Sequence, residues 1–278
     1  MDKHPVEKGI EDVVRTYELL DRVRLGRDIA LRDDQFESEA LLDAARAARE
    51  KGIGVSLIDT GRFEPSGLEW LIREGVRFYT SDEARPREDE LARLLKACRA
   101  ARSFLAYFQN GPLGPAGEGS GLGPDALRRL ASAGMDVHLS NRTHARDLEF
   151  LAGLAEDARA AGGYFAYYHH GPLASGLTEL AARGAWLHVS DRTIEAGAGT
   201  DPAMALARTA KEAGSRAVVY VETGLPVPVL EALFEAGAAL LFQTPPSDDR
   251  SLLRPIERKA LRRKLPVRAS YLSTSFLP

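Results

Sequence analysis

Phe104-Leu-Ala-Tyr-Phe-Gln-Asn-Gly-Pro-Leu113 returns almost letter for letter as Tyr164-Phe-Ala-Tyr-Tyr-His-His-Gly-Pro-Leu173. Val55-Ser-Leu-Ile-Asp-Thr-Gly61 and Val218-Val-Tyr-Val-Glu-Thr-Gly224 are weaker echoes of the same stretch. After each copy comes a short helical pattern that ends in glycine, then a second apolar run. The repeat therefore predicts four two-strand units and eight strands alternating with helices. Such alternation requires parallel pairing with right-handed crossovers. Fourfold repetition fits a closed (βα)8 TIM-like barrel, in which every unit meets a like neighbour and no edge is left over. An open doubly wound sheet, an α/β solenoid and two half-domains are the alternatives.

Working outward, the barrel domain spans residues 51–278, and residues 1–50 form a helical N-terminal extension packed on it. In the extension Ile10, Val13, Val14, Tyr17, Leu20 and Val23 recur at helical spacing, 28–31 reads as a short extra strand, and 36–50 as a helix stopped by Gly52. The eight strands are placed at 54–58, 76–80, 104–109, 136–140, 164–169, 185–190, 217–222 and 238–243. A basic helix over 252–264 and one more extended piece at 267–272 close the chain.

With 278 residues, 44% of them hydrophobic, the chain has ample material for one large core. A formal net charge of −3 gives no global attraction to nucleic acid or anionic lipid. There is no apolar run of transmembrane length. The opening Met1-Asp-Lys-His-Pro5 is polar and lacks the apolar segment of a secretion signal, which predicts a cytoplasmic protein. Cys98 is the only cysteine, which excludes an intrachain disulfide and a cysteine-rich metal site; its helical context reads as core. Only Asn110 and Asn141 are asparagines and arginine outnumbers lysine, a thermophilic economy.

Side chains alternate along a strand, and the helix-facing side must be apolar. Anchoring the four first strands on their glycines puts Asp59, Gln109, His169 and Glu222 at one level, with Leu57, Tyr107, Tyr167 and Tyr220 two residues before. The second strands carry Tyr79 and Ser81, His138 and Ser140, His188 and Ser190, Leu241 and Gln243 in one phase. These polar phases are expected to face the barrel axis. Tyr79, Tyr107, Tyr167, Tyr220, His138 and His188 then line a pocket, and the strand-end residues form its mouth.

That pocket points to a hydrolase acting on a small polar or sugar-like substrate. Asp59 and Glu222 exchange protons as a carboxylate pair, and His169 orients substrate or binds metal. Tyr107, Gln109, Tyr167 and Tyr220 contact the substrate. Arg142 and Arg192, in the near-identical Ser140-Asn-Arg-Thr143 and Ser190-Asp-Arg-Thr193, hold an anionic group or close a salt bridge. His138, His169 and His188, with a carboxylate, make a set suited to zinc, manganese or iron. His170 reaches the mouth from its loop. The glycine-rich 111–123 reads as a lid, not a phosphate loop. No lysine stands at a predicted strand end, which argues against a Schiff-base aldolase mechanism. A non-catalytic ligand-binding barrel would carry the same lumen. The basic segment 254–268 offers a surface for nucleic acid or an acidic partner, which the overall charge balance argues against.

Overall fold

The computed structural model describes residues 19–20, 23–24, 29–114, 121–195, 200–222, 225–242, 253–263 and 269–271. The chain divides into two compact units, Met1–Phe108 with Gly114–Leu122, and Gln109–Leu113 with Gly123–Pro278.

Unit 1 runs β1 (Ile29–Arg32), a single 3-10 turn (Asp33–Gln35), α1 (Ser38–Glu50), β2 (Val55–Ile58), α2 (Pro65–Arg73), β3 (Arg77–Ser81), α3 (Glu88–Ala100) and β4 (Leu105–Gln109). β1, β2, β3 and β4 pair in that order, all parallel. The short extra strand read at 28–31 is β1, which pairs with β2. The helices follow from their apolar spacing: α1 buries Leu41, Ala44, Ala45 and Ala48, and α3 buries Leu91, Leu94, Leu95 and Cys98. Cys98 is fully buried, and burial pushes its thiol up to about 12, so it is an inert core residue.

Unit 2 runs α4 (Pro124–Ser132), β5 (Asp136–Ser140), α5 (Leu148–Ala160), β6 (Phe165–His169), α6 (Gly176–Ala182), β7 (Trp186–Ser190), α7 (Asp191–Glu195), α8 (Thr200–Glu212), β8 (Ala217–Val221), α9 (Val227–Ala236), β9 (Ala239–Phe242), α10 (Leu253–Arg263) and β10 (Ala269–Tyr271). Its six strands pair parallel in chain order. Pro124 opens α4 at its first turn, where its missing N–H costs nothing. Asp147 caps α5 by accepting from the Glu149 N–H at 3.0 Å. Gly237 closes α9 at φ 112°, and a Cβ there would lie 2.8 Å from Lys211 Cδ.

Both units are therefore parallel α/β, as the repeat predicts. The described residues hold ten strands rather than eight, the extra ones being β1 and β10 at the positions read as extended. No helix among the described residues is long and apolar enough to cross a membrane.

The strand faces correct part of the sequence reading. Tyr107 and Tyr167 are 0% and 2% exposed, on the fully buried, helix-covered side with Phe78 and Leu187. Gln109 lies two residues beyond Tyr107 and is buried too, and the His169 backbone pairs with that of Val189. The opposite side carries Ala106, Phe108, Ala166 and Tyr168. The reason is volume: a tyrosine ring fills the space between sheet and helix, while alanine leaves room on the other side. Tyr220 does lie on the open side, because its partners there are Ser190 and Leu241. The glycine-anchored comparison is thus one residue out of phase in the last copy.

At the start of β5, Asp136 accepts from the Tyr164 N–H at 2.9 Å and is only 7% exposed. Burial, opposed by that hydrogen bond, pushes its carboxyl up to about 6. The stability this group supplies is complete below its unfolded pKa of about 4 and is lost as pH rises through about 6. Asp136→Asn, which keeps an acceptor for Tyr164, is expected to be more stable than the parent at pH 8, by up to about 3 kcal/mol, with the gain vanishing near pH 4. Thermal unfolding across that range is the check; a gain independent of pH would contradict this assignment.

Candidate functional site

In unit 2 the open face of the sheet carries a ladder of imidazoles and phenols. His138, on β5, stands 3.1 Å from the Tyr168 hydroxyl through Nδ1 and 3.1 Å from the Tyr164 hydroxyl through Nε2. A neutral imidazole has one N–H, so it donates to one hydroxyl and accepts from the other. His188, on β7, stands 2.9 Å from the Tyr220 hydroxyl through Nδ1. The Tyr168 and His188 rings lie 4.3 Å apart, and Tyr164 stacks on Trp186 at 4.9 Å, with the Arg216 guanidinium 4.7 Å over the indole. Burial, with a smaller effect of His188, lowers His138 to about 3; burial lowers His188 to about 4. Burial pushes the Tyr220 phenol up to about 12. The whole ladder is therefore neutral at physiological pH.

Above the ladder, at the C-terminal strand ends, the chain gathers its charged groups. Arg192 Nε lies 3.2 Å from Glu222 Oε2. Asp191, wholly buried, accepts from the Glu222 N–H at 3.0 Å and so fixes the end of β8 to α7. Arg142 is exposed. His170 is exposed beside it. Burial, the Arg142 charge and His169 lower its basicity while Glu222 raises it, so these side chains are neighbours. Asn141, one of only two asparagines, clamps the backbone of His170 on both sides, at 2.7 and 2.9 Å.

His169 does not join the other two histidines as a ligand set. Its Nε2 is 3.0 Å from the Pro172 carbonyl and its Nδ1 3.4 Å from Asn141 Nδ2, while both nitrogens of His138 face tyrosine hydroxyls. Among the described residues no group of three or more His, Cys, Asp or Glu is placed to hold a metal ion. Gln109 is turned onto its own loop, with Nε2 donating to the Pro112 carbonyl at 2.9 Å.

In unit 1 Asp59 is not free for proton exchange. Arg85 binds it through Nε and Nη2 at 2.9 and 3.1 Å, the Thr80 hydroxyl donates at 2.7 Å and the Gly61 N–H at 3.0 Å. Arg85, 5% exposed, also donates to the Phe63 carbonyl. The paired-carboxylate reading of Asp59 with Glu222 therefore loses one member to a buried ion pair.

Of the residues singled out in the sequence, the structure places His138, His188 and Tyr220 on one face of the unit 2 sheet, beside Tyr168, and Arg142, Arg192 and Glu222 beyond the strand ends. Sequence reasoning missed Asp191 and Arg85, which join elements distant in the chain and follow no spacing. The glycine-rich 111–123 is described only in part, because residues 115–120 lie outside the described residues. The Gly111 carbonyl accepts from Arg146 Nη2 at 2.7 Å. In the basic segment Lys259 is held by Glu231 and Glu235 of α9, at 2.7 and 2.9 Å, which removes one cation from the surface offered to an acidic partner. Lys264 and Arg268 lie outside the described residues.

No family profile matches this chain, and no curated protein is similar to it in sequence. Among solved structures, deoxyribose phosphate aldolase from Aeropyrum pernix aligns at 17% identity over 93% of this chain and 97% of its own, with a TM-score of 0.32. An HpcH/HpaI aldolase from Desulfitobacterium hafniense aligns at 10% identity over 90% and 98%, TM-score 0.38. The 3-dehydroquinate dehydratase from Aquifex aeolicus aligns at 12% identity over 86% and 99%, TM-score 0.35. Similarity at this level transfers no residue role to this chain. These proteins are aldolases and a dehydratase. The hydrolase expected from the sequence needs Asp59 as one of its two carboxylates, and with Asp59 locked by Arg85 that reading is withdrawn.

Replacing Arg85 by alanine is expected to cost about 3–5 kcal/mol, since it leaves Asp59 buried without its counter-ion. The double change Asp59→Leu with Arg85→Leu should cost far less. Urea unfolding of the two variants decides this; equal losses would show that the pair is not coupled.

Proposed function

We propose that the chain is an acid–base enzyme of the isomerase or lyase kind, built on the (βα)8 ring that the fourfold repeat predicts. Its site would be the strand ends of unit 2 and its substrate a small, anionic, carbonyl-bearing molecule. The observation that carries the reading is the 2.9 Å bond between His188 and Tyr220, a neutral imidazole and a protonated phenol one layer below Glu222.

A buried neutral pair of this kind donates a hydrogen bond without carrying charge into the site, which suits an oxygen on which negative charge develops. Glu222 follows Tyr220 by two residues, as strand alternation requires of a group aimed the same way. In the proposed step its carboxylate takes a proton from carbon beside the substrate carbonyl. The bonding electrons move to the carbonyl oxygen, which the Tyr220 hydroxyl stabilises. Where the deprotonated carbon bears a hydroxyl, passing that hydroxyl's proton to the former carbonyl oxygen and returning the Glu222 proton to the former carbonyl carbon completes an isomerisation; expelling a leaving group, with its bonding electrons, from the carbon next along completes an elimination. Arg142 would hold the anionic group, and Arg192, 3.2 Å from the Glu222 carboxylate, would orient it. Zinc, manganese or iron finds no ligand set among the described residues, and no step runs through a metal.

The test is proton exchange at carbon. Small 2-oxo acids and phosphorylated hydroxyketones are incubated with the protein in heavy water and followed by NMR. Exchange beside the carbonyl of at least one of them is expected, with Glu222→Gln slower by about 10²–10⁴-fold and Arg142→Ala requiring more substrate for the same rate. Thermal stabilisation by a ligand with no exchange would establish a ligand-binding barrel instead.

A further inference from the structure

Asp33 is a buried titratable group that this chemistry leaves unused. It begins the 3-10 turn after β1 and is 0% exposed. Its Oδ1 is fully occupied, accepting from the Thr60 N–H at 3.0 Å and the Thr60 hydroxyl at 2.6 Å. Among the described residues no donor reaches Oδ2, which is buried. Its neighbour Asp59 has the opposite surroundings, with four donors on its two oxygens.

The charges around the pair do not provide for two anions. Arg85, after β3, is bound to Asp59 and also lies 3.7 Å from Glu90 of α3. Arg62, from the loop after β2, is directed at the carbonyls of Asp33, Asp34 and Phe36 and at the Glu37 carboxylate. Arg32 and Asp34 pair with each other at the surface, at 2.7 Å. Arg85 and Arg32 both feel the Asp33 charge, but each is already bound to another carboxylate, Asp59 and Asp34. A buried carboxyl with an unpartnered oxygen and no cation bonded to it favours its acid form, which turns that oxygen into a donor.

We propose that Asp33 and Asp59 hold one proton between them, carried on Asp33 Oδ2 and donated to the Asp59 carboxylate, so that the end of β1 is fastened to the end of β2 by a proton-sharing carboxyl pair. Burial raises the Asp33 carboxyl above the ordinary range against the pull of the Thr60 hydrogen bonds, and the charge and hydrogen bond of Asp59 raise it further. A raised folded-state pKa gives stability that is complete below the unfolded value and is lost as pH climbs through the folded one. The pair is therefore a latch that loosens with rising pH, when a second anion appears on a single guanidinium.

The experiment follows aspartate carboxyl carbons by NMR in carbon-13-labelled whole protein between pH 4 and pH 8. Alongside Asp136, one further aspartate is expected to keep a protonated carboxyl at pH values where ordinary aspartates are ionised, and its signal should be missing in Asp33→Asn. That variant keeps an acceptor for Thr60 and places an amide donor toward Asp59. It should fold and should lose part of the fall in melting temperature that the parent shows as pH rises. If every aspartate except Asp136 titrates in the ordinary range, or if Asp33→Asn keeps the extra signal, the shared proton is refuted.

Discussion

A polar group fixed to a buried strand must find its partner where the strand puts it, because leaving it unmatched costs about as much as several ordinary contacts supply. That constraint shapes both units. In unit 2 it is met by pairing imidazole with phenol: His138 between Tyr164 and Tyr168, His188 against Tyr220. All are neutral, so the sheet face carries hydrogen-bonding groups without the penalty of buried charge. In unit 1 it is met by charge and by a proton: Asp59 against Arg85, and Asp33 against Asp59.

The two solutions have different consequences for function. A carboxylate bound by four donors is a structural rivet, whatever its position at a strand end suggests. A neutral imidazole bonded to a phenol remains chemically versatile, since either partner can give or take a hydrogen bond as a substrate changes charge. Exposed charges stand above it: Arg142, His170, and the Arg192–Glu222 pair braced by Asp191. The unit therefore separates a neutral floor from a charged rim. This division suits an anionic substrate bound by its periphery and transformed at its centre.

Most of the element order was legible in the sequence. The helices announced themselves by spacing, as in Leu91, Leu94, Leu95 and Cys98, and the strands by repetition. The face of each strand was less legible, because tyrosine is both polar and bulky. Tyr107 and Tyr167 read as lumen residues yet fill the sheet–helix space, while the small Ala106 and Ala166 occupy the open side. Glycine anchoring misled at Tyr220, where the strand is displaced by one residue relative to the other copies. The common face of the second strands was legible, since His138, Ser140, His188 and Ser190 alternate regularly. Arg85, Asp33 and Asp191 act through partners twenty-six to thirty-one residues away in sequence, and no local pattern marks them.

Everything proposed for unit 2 rests on its neutral imidazole–phenol ladder. Nitrogen-15 NMR of the histidine side chains as a function of pH tests that ladder most directly. Two histidines should stay neutral on acidification to pH 5, in keeping with values of about 3 and about 4, and should be identified by loss in His138→Gln and His188→Gln. If both instead take up a proton near the ordinary histidine value of about 6.5, the ladder is not buried and the proposed site fails with it.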